Sequence, residues 1–348
     1  MICQIMRDLP QVTSGTLWPP ADLAMPGPAS QIPNMHEYDW VVIRISGGKD
    51  GQAAMRQTWR TAIEQGYDLS RIVVEYDDLN GDQPGEQATW PGTAEIGAHL
   101  VAKYGDRPGS MELCRQQAAH CGFRFEVARQ QSRPWLLEDI RTRKGKDGRA
   151  RFPDAANRYC TSDHKRAAGR LLLTRLVREW GGRKRWGRPC RILTVMGFRA
   201  EESTGRARRQ VFSYDAGASG QGTVTRRRGV RPGPRCQRQV WLWLPVHHWT
   251  EEQVWADIHA SKVPYAWPYD AGMSRYSCAQ CVLGSFADAV RSAQIWPANT
   301  LRIVDMEAQM GHSWQENRSM RDIAEAAGVL EPSADQVDNQ PEQLALSL

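Results

Sequence analysis

Hydrophobic positions in this 348-residue chain alternate between short β-rich runs and longer stretches with helical spacing. Residues 40–45, Trp-Val-Val-Ile-Arg-Ile, predict a strand, followed by a glycine turn and a helix over 52–65. A second strand is predicted at 71–76, helices at 91–104 and 110–120, and a third strand at 123–127. Residues 162–180 predict a long helix with Leu171, Leu172, Leu176 and Val177 along one side, and 191–196 predict another strand. Strands that alternate with helices imply an α/β, Rossmann-like architecture, a mainly parallel sheet covered on both faces. Further on, 240–246 is an apolar extended run, and Thr250-Glu-Glu-Gln253 reads as a capping box that opens a helix over 251–260. Residues 264–281 form an aromatic, turn-rich loop. Helices are expected at 284–295, 300–310 and 318–328, a small helical C-terminal subdomain.

This pattern divides the chain into a Pro-rich flexible leader (1–37, six prolines), a nucleotide-binding-type domain (38–285), a helical region (286–330) and an acidic flexible tail (331–348). No repeat with a period of 20–50 residues is visible. The longest strongly apolar run, 240–246, is far short of the roughly 20 residues that span a bilayer. The N-terminus lacks a charged-then-apolar secretory pattern, so a cytoplasmic protein without a membrane partner is expected.

Charge sharpens the picture. The net +6 conceals a balance of −6 over residues 1–140, +20 over 141–238 and −8 over 239–348. A basic block of that density suggests a polyanionic partner, nucleic acid foremost. Thirty-eight of the 45 basic residues are arginine, which suits bidentate phosphate contact. Trp186 lies within the block and could stack on a base; the arginine run at 225–231 reads as an exposed loop.

Ser46-Gly-Gly-Lys-Asp-Gly51 falls where a strand turns into a helix. Glycines there let backbone N–H groups approach an anion, the helix N-terminus adds its dipole, and Lys49 adds a full charge. The segment resembles the PP-loop, SGGKDS, of the adenine-nucleotide alpha-hydrolase superfamily. Three more segments narrow the resemblance to the phosphoadenosine phosphosulfate (PAPS) reductase family, which includes DndC-type DNA-phosphorothioation proteins. They are Arg158-Tyr-Cys-Thr-Ser-Asp-His-Lys165, Gly197-Phe-Arg-Ala-Glu-Glu-Ser-Thr-Gly-Arg206, and the stretch from Pro245 to Cys281 with its Arg275-Tyr-Ser-Cys-Ala-Gln-Cys281 end. The likeness runs in order from about residue 40 to 285. It implies a HUP-type sheet and an adenine nucleotide, ATP or PAPS, held with Mg²⁺.

The resemblance implies site residues as well. Lys49, Asp50, Arg199 and Arg206 are the catalytic candidates. Ser46, Gly47, Gly48, Lys49, Gly51, Lys165, Glu202, Ser203 and Arg275 are the nucleotide-binding candidates. Gly51 replaces the customary serine and removes a hydroxyl that could hold phosphate. Asp50 either orients Lys49, helps hold Mg²⁺, or is a simple helix-start acid. Asp77 and Asp78 close the second strand, facing a nucleotide or forming a turn; His247 and His248 read as structural.

Eight cysteines in a chain this long do not form a disulfide scaffold. The family likeness points to Cys160, Cys278 and Cys281 as ligands of a [4Fe–4S] cluster, with zinc as the alternative. Cluster-bearing reductases use two adjacent cysteines plus a C-x-x-C pair; here Tyr159 precedes Cys160, and Cys236, or else Cys190, is left to supply the fourth ligand. No cysteine follows Cys281, where a PAPS reductase carries its redox cysteine. The expectation is therefore an ATP pyrophosphatase that adenylylates an acceptor for sulfur transfer, DndC-like, with DNA or another nucleic acid as acceptor and a cysteine desulfurase or other sulfur donor. The alternatives are a PAPS or APS reductase that releases sulfite, and a non-catalytic nucleotide- and nucleic-acid-binding regulator.

Overall fold

The computed structural model describes residues 32–82, 87–145, 148, 150–220 and 237–331. The expectations placed on most of the leader, the arginine run, Cys236 and the acidic tail lie outside these residues. Six strands form one sheet: β1 (Trp40–Ile45), β2 (Ile72–Asp77), β3 (Arg124–Ala128), β4 (Cys190–Met196), β5 (Phe212–Tyr214) and β6 (Arg238–Trp243). Their order is β3-β2-β1-β4-β6-β5. Five strands run parallel, and β5 pairs antiparallel with β6 at one edge. The α/β, mainly parallel reading is thus borne out; β5, three residues long, was not predicted.

Side-chain alternation builds two cores. Val41, Ile43 and Ile45 of β1 and Ile72, Val74 and Tyr76 of β2 pack on one face, with Ala53, Ala54, Met55 and Ala62 of the Lys49–Gln65 helix and Val254 and Ile258 of the Glu251–Ser261 helix. Trp40, Val42 and Val73 point the other way, against Leu172, Leu173, Leu176 and Val177 of the Ala167–Glu179 helix. On this second face the apolar series ends in charge. Arg44 follows Val42, Glu75 and Asp77 follow Val73, and Arg44 stands in register with Glu75.

Two predicted helices differ from the structure. The 91–104 segment is split into Thr93–Ile96 and Ala98–Tyr104 by Gly97, whose extended backbone interrupts the helix. The 162–180 helix starts earlier, as a π-helical turn over Cys160–Arg166, before regular helix from Ala167. That wider turn leaves the Lys165 carbonyl to accept from Arg44 Nη2 at 3.2 Å. The Thr250 capping box forms as expected: the Thr250 side chain accepts from Gln253 N, and Thr250 N donates to Gln253 Oε1 at 2.8 Å. The C-terminal helices Phe286–Ile295, Pro297–Met310 and Met320–Ala326 share a buried cluster with Leu79, Leu136, Ile140, Phe152 and Tyr159. The Leu136–Thr142 helix in that cluster was not foreseen.

Candidate active site

β1 and β4 are neighbours, whereas the chain leaves β1 toward β2 on its other side. The carboxyl ends of such strands frame the ligand crevice of an open α/β sheet. Ser46–Gly48 lie there, between β1 and the helix that starts at Lys49. Gly47 has φ +88°, in the left-handed region, and a Cβ there would lie 3.0 Å from the Tyr276 ring. Gly48 occupies the N-cap position, with no side chain over the helix N-terminus. The result is an exposed Ser46 followed by a backbone cradle with its dipole directed outward.

A second glycine ties this cradle to the sheet. Gly197 follows β4, and a Cβ there would meet Asp50 O at 2.2 Å and Gly51 N at 2.5 Å. Only a bare backbone lets the post-β4 loop approach the first helical turn this closely. Gly51 differs, because a Cβ there would reach Ile45 Cγ2 at an ordinary 3.5 Å. Sterics therefore do not exclude the customary serine.

Lys49 is almost fully buried. Its N–H donates to Tyr269 Oη at 3.1 Å, and its ammonium donates to the Ser274 carbonyl at 3.3 Å and pairs with Glu251 at 3.4 Å. Tyr276 Oη lies 2.6 Å from Ser110 Oγ in the interior, which fixes the ring that presses on Gly47. Burial pushes the Tyr269 phenol well above its ordinary value, so it stays a neutral donor and acceptor. Tyr269, Ser274 and Tyr276 all belong to the 264–281 loop, which thus folds over the cradle.

Arg199 sits at the centre of a knot of charge. Its guanidinium donates to Asp50 Oδ1 at 2.5 Å and to Glu201 at 2.7 Å, with Glu251 at 3.8 Å. Only 2% of Arg199 is exposed, so it acts within the protein, fixing Asp50 at the start of the helix. Burial raises the Asp50 carboxyl above its ordinary value against the opposing pull of Lys49 and Arg199. With one oxygen committed to Arg199, Asp50 is a joint between the loop and β4. Glu202 accepts from Arg199 N at 3.0 Å and pairs with Arg206, whose guanidinium lies 4.6 Å from the Phe198 ring centre. Ser203 caps the short turn Thr204–Ala207 by accepting from Arg206 N. The 197–206 segment therefore satisfies itself, and Arg206 keeps about a quarter of its side chain exposed.

Three of the predicted cysteines are near one another: Cys160 and Cys278 pack against the same buried cluster, and Cys278 and Cys281 line one small pocket. Lys165 is pulled above its ordinary value by Cys278 first, against the cost of burial, then by Asp77, Cys281 and Cys160. Burial pushes the Cys278 thiol up to about 11, Lys165 pulls it down, and Cys281 and Cys160 push it further up. Cys160, Cys278, Cys281 and Lys165 thus share one half-buried neighbourhood. Arg275 is exposed beside it and lines a small pocket with Ser277, Cys278 and Cys281. Among the described residues no three His, Cys, Asp or Glu side chains converge tightly enough to hold a single metal ion. Cys190 is corrected as a ligand. It is fully buried at the amino end of β4, paired in register with Arg238, and burial pushes its thiol up to about 12.

One charged group was missed from sequence. Arg44 Nε donates to Glu75 at 2.9 Å, and its Nη2 reaches Asp77 at 3.3 Å. Burial raises Asp77 to about 8 despite Arg44. The available signal was a charge at the same parity in two adjacent predicted strands. Asp78 turns away; it accepts from Asn80 N at 3.2 Å and pairs with Arg129 at 2.7 Å. His247 is buried, with Nε2 3.0 Å from the Arg206 carbonyl.

Comparison with known proteins agrees with the motifs. Residues 188–283 match the family model of the phosphoadenosine phosphosulfate reductase domain. The chain is 28% identical over 193 residues to an adenosine 5'-phosphosulfate reductase of Allochromatium vinosum. That match spans 55% of this chain and 60% of the relative, so it leaves a good part of the relative's length uncovered. Among solved structures, a PAPS reductase from Candida auris, a phosphate complex, aligns with TM-score 0.35 at 14% identity, over 72% of this chain and 83% of that one. The U34-tRNA thiolase NcsA of Methanococcus maripaludis, with its [4Fe-4S] cluster, aligns with TM-score 0.36 at 11% identity, over 87% and 86%. The PAPS reductase resemblance read from the motifs is borne out.

Proposed function

We propose that this chain is a PP-loop enzyme that binds an adenine nucleotide at the β1–β4 crevice and couples its activation to sulfur transfer onto a nucleic acid. One observation carries the reading. The 264–281 loop contacts the cradle through Tyr269, Ser274 and Tyr276, and carries Cys278 and Cys281, of which Cys278 packs with Cys160 against one buried cluster. Nucleotide chemistry and thiol chemistry thus meet on one short segment.

With ATP, an acceptor oxygen attacks the α-phosphorus, the bond to the diphosphate breaks, and the diphosphate leaves with the electron pair. The N–H groups at the start of the Lys49 helix face the charge that develops there, and Lys49 turns from Glu251 and Ser274 toward it. Mg²⁺ accompanies the phosphates, which supply most of its ligands. Hydrosulfide, the sulfide-level donor, then attacks the acceptor centre, and AMP leaves with the oxygen. A persulfide charged by a cysteine desulfurase serves only together with a thiol reductant that supplies two electrons and releases the sulfur as sulfide. The all-thiol set Cys160, Cys278 and Cys281 fits a soft metal group and, with Cys236 as fourth ligand, would hold a [4Fe–4S] cluster. When bound, it supplies iron able to bind sulfur; Lys165 offsets the negative charge of the thiolates.

A second reading, a reductase that releases sulfite from APS or PAPS, is favoured by the 28% identity to an APS reductase. Anaerobically purified protein decides between them, assayed for pyrophosphate release from ATP with nucleic acid and for sulfite release from APS and PAPS. Pyrophosphate release alone supports the lead, and sulfite release replaces it with the reductase. Nucleotide binding without either product overturns both. Iron and sulfide content, lost together in Cys160→Ala and Cys278→Ala, tests the ligand set; wild-type protein with neither removes the cluster.

A further inference from the structure

We infer that Trp180, Trp186 and the basic residues around them form a stacking platform for single-stranded nucleic acid, at the end of the sheet opposite the phosphate cradle. The inference rests on the nucleic-acid part of the reading above and locates where that polymer is gripped. Trp186 is 50% exposed, the bulkiest exposed apolar side chain among the described residues. It is not loose. Its indole stacks on Trp180 with ring centres 5.6 Å apart and an interplanar angle of 23°, and its Nε1 donates to the Trp180 carbonyl at 2.7 Å. The Arg185 guanidinium lies 5.2 Å from the Trp186 ring centre, and that of Arg188 lies 5.0 Å from the Trp180 ring centre.

The surroundings are cationic. Residues 178–191 carry six basic side chains and one acid, Glu179, which is already paired with Arg124. Arg188 is itself held by Asp39 through two hydrogen bonds at 2.6 and 2.8 Å, which leaves a surplus of positive charge carried by Arg178, Lys184, Arg185 and Arg191 among others. Arg178, Lys184 and Arg185 are exposed. A fixed indole set among arginines offers a π-face for a base and cations for the flanking phosphates. A duplex presents only phosphates to such a surface, because its bases are already stacked; a single strand presents both. The platform precedes β4, whereas the cradle follows β1, the parallel neighbour of β4, at the carboxyl end of the sheet, and a seven-residue strand such as β4 spans roughly 20 Å. A mononucleotide in the cradle therefore does not touch Trp186, but a polymer can occupy both.

The test is fluorescence anisotropy with labelled oligo(dT), oligo(rU) and a duplex of equal length, on the full chain across a salt series. Trp186→Ala is expected to weaken single-strand binding about tenfold and Trp186→Phe to restore most of it, as loss of one base–aromatic stack predicts. Lys184→Ala with Arg185→Ala is expected to lower the log–log salt slope by about 1.4, two phosphate contacts on a single strand. Duplex binding should change little in Trp186→Ala, and ATP binding at the cradle should not change, which also reports intact folding. Unaltered single-strand affinity in Trp186→Ala, or equal losses for single strand and duplex, overturns the platform while the nucleic-acid reading survives. A wild-type chain that binds no oligonucleotide overturns both.

Discussion

Gly197→Ala offers a sharp test of how the site is built. The added Cβ would stand 2.2 Å from Asp50 O, 2.3 Å from its carbonyl carbon and 2.5 Å from Gly51 N, all backbone atoms of the turn that opens the Lys49 helix. Ordinary contact begins near 3.4 Å. The post-β4 loop and the helix start must therefore separate by about 1 Å, and no flexible side chain is available to absorb the move. Overpacking of this kind costs about 1–3 kcal/mol, and a backbone-to-backbone clash belongs at the upper end. A loss of about 3 kcal/mol lowers Tm by roughly 4 °C in a chain of this size. Displacing the cradle by about 1 Å also costs on the order of 100-fold in turnover, because the N–H donors no longer face the leaving phosphate. Gly51→Ser is the matched control on the other side of the same backbone contact, its own Cβ directed toward β1. Its Cβ meets Ile45 at 3.5 Å, and serine in place of a helical glycine is worth about 0.5 kcal/mol in the stabilising direction. Denaturant unfolding and calorimetric titration with ATP measure both variants. Wild-type stability and affinity in Gly197→Ala, or equal damage in the two variants, would refute the close-approach argument.

Three other expectations follow from the same contacts. Arg199→Met leaves Asp50 and Glu201 without their shared cation and should cost about 3 kcal/mol in urea unfolding; a change below about 0.5 kcal/mol would mean the knot contributes nothing. Tyr276→Phe deletes the hydroxyl 2.6 Å from Ser110 Oγ, while Ser110 keeps the Trp90 carbonyl at 3.0 Å; a cost of about 1 kcal/mol is expected, with none if that hydrogen bond is idle. Asp77, raised to about 8 by burial, favours the fold while protonated: its contribution is complete below the unfolded carboxyl value of about 3.9 and fades as pH rises through 8. Wild type should therefore lose stability relative to Asp77→Asn between about pH 4 and about pH 8, and parallel curves would contradict the burial argument.

The strands and the cradle were legible because their signals are local. An apolar run, a glycine pair and a lysine occupy about ten consecutive residues, and the covalent chain alone fixes their spacing. The π-helical start at Cys160 was not legible, because its hydrogen-bond pattern answers to Arg44, 121 positions away in the chain. Gly97 was visible inside a helical pattern, but a lone glycine in such a pattern is tolerated as often as it breaks the helix. The short strand β5 carries no periodic signal in three residues; its place is set by β6, to which it pairs.

The site residues divide in the same way. Their identities were readable, but their partners were not. Lys49 meets a carbonyl 225 positions later, and Asp50 meets Arg199 across 149. A spacing pattern names residues able to bind phosphate or metal; whether a charge is free to do so depends on what the fold places against it. Arg199 reads in sequence as a ligand-gripping arginine, and in the structure its donors are taken by Asp50 and Glu201. Lys49 reads as a free cation, yet it rests against Glu251 and the Ser274 carbonyl, so an entering phosphate competes with a carboxylate and a carbonyl already in place. On the proposed reading phosphate displaces them, because it brings more charge than the Glu251 carboxylate and would face the N–H groups of a helix with no side-chain cap. On that same reading, the contact that phosphate displaces lies on the same loop as Cys278, four residues from Ser274, so this loop is the segment through which occupancy of the cradle would reach the thiols.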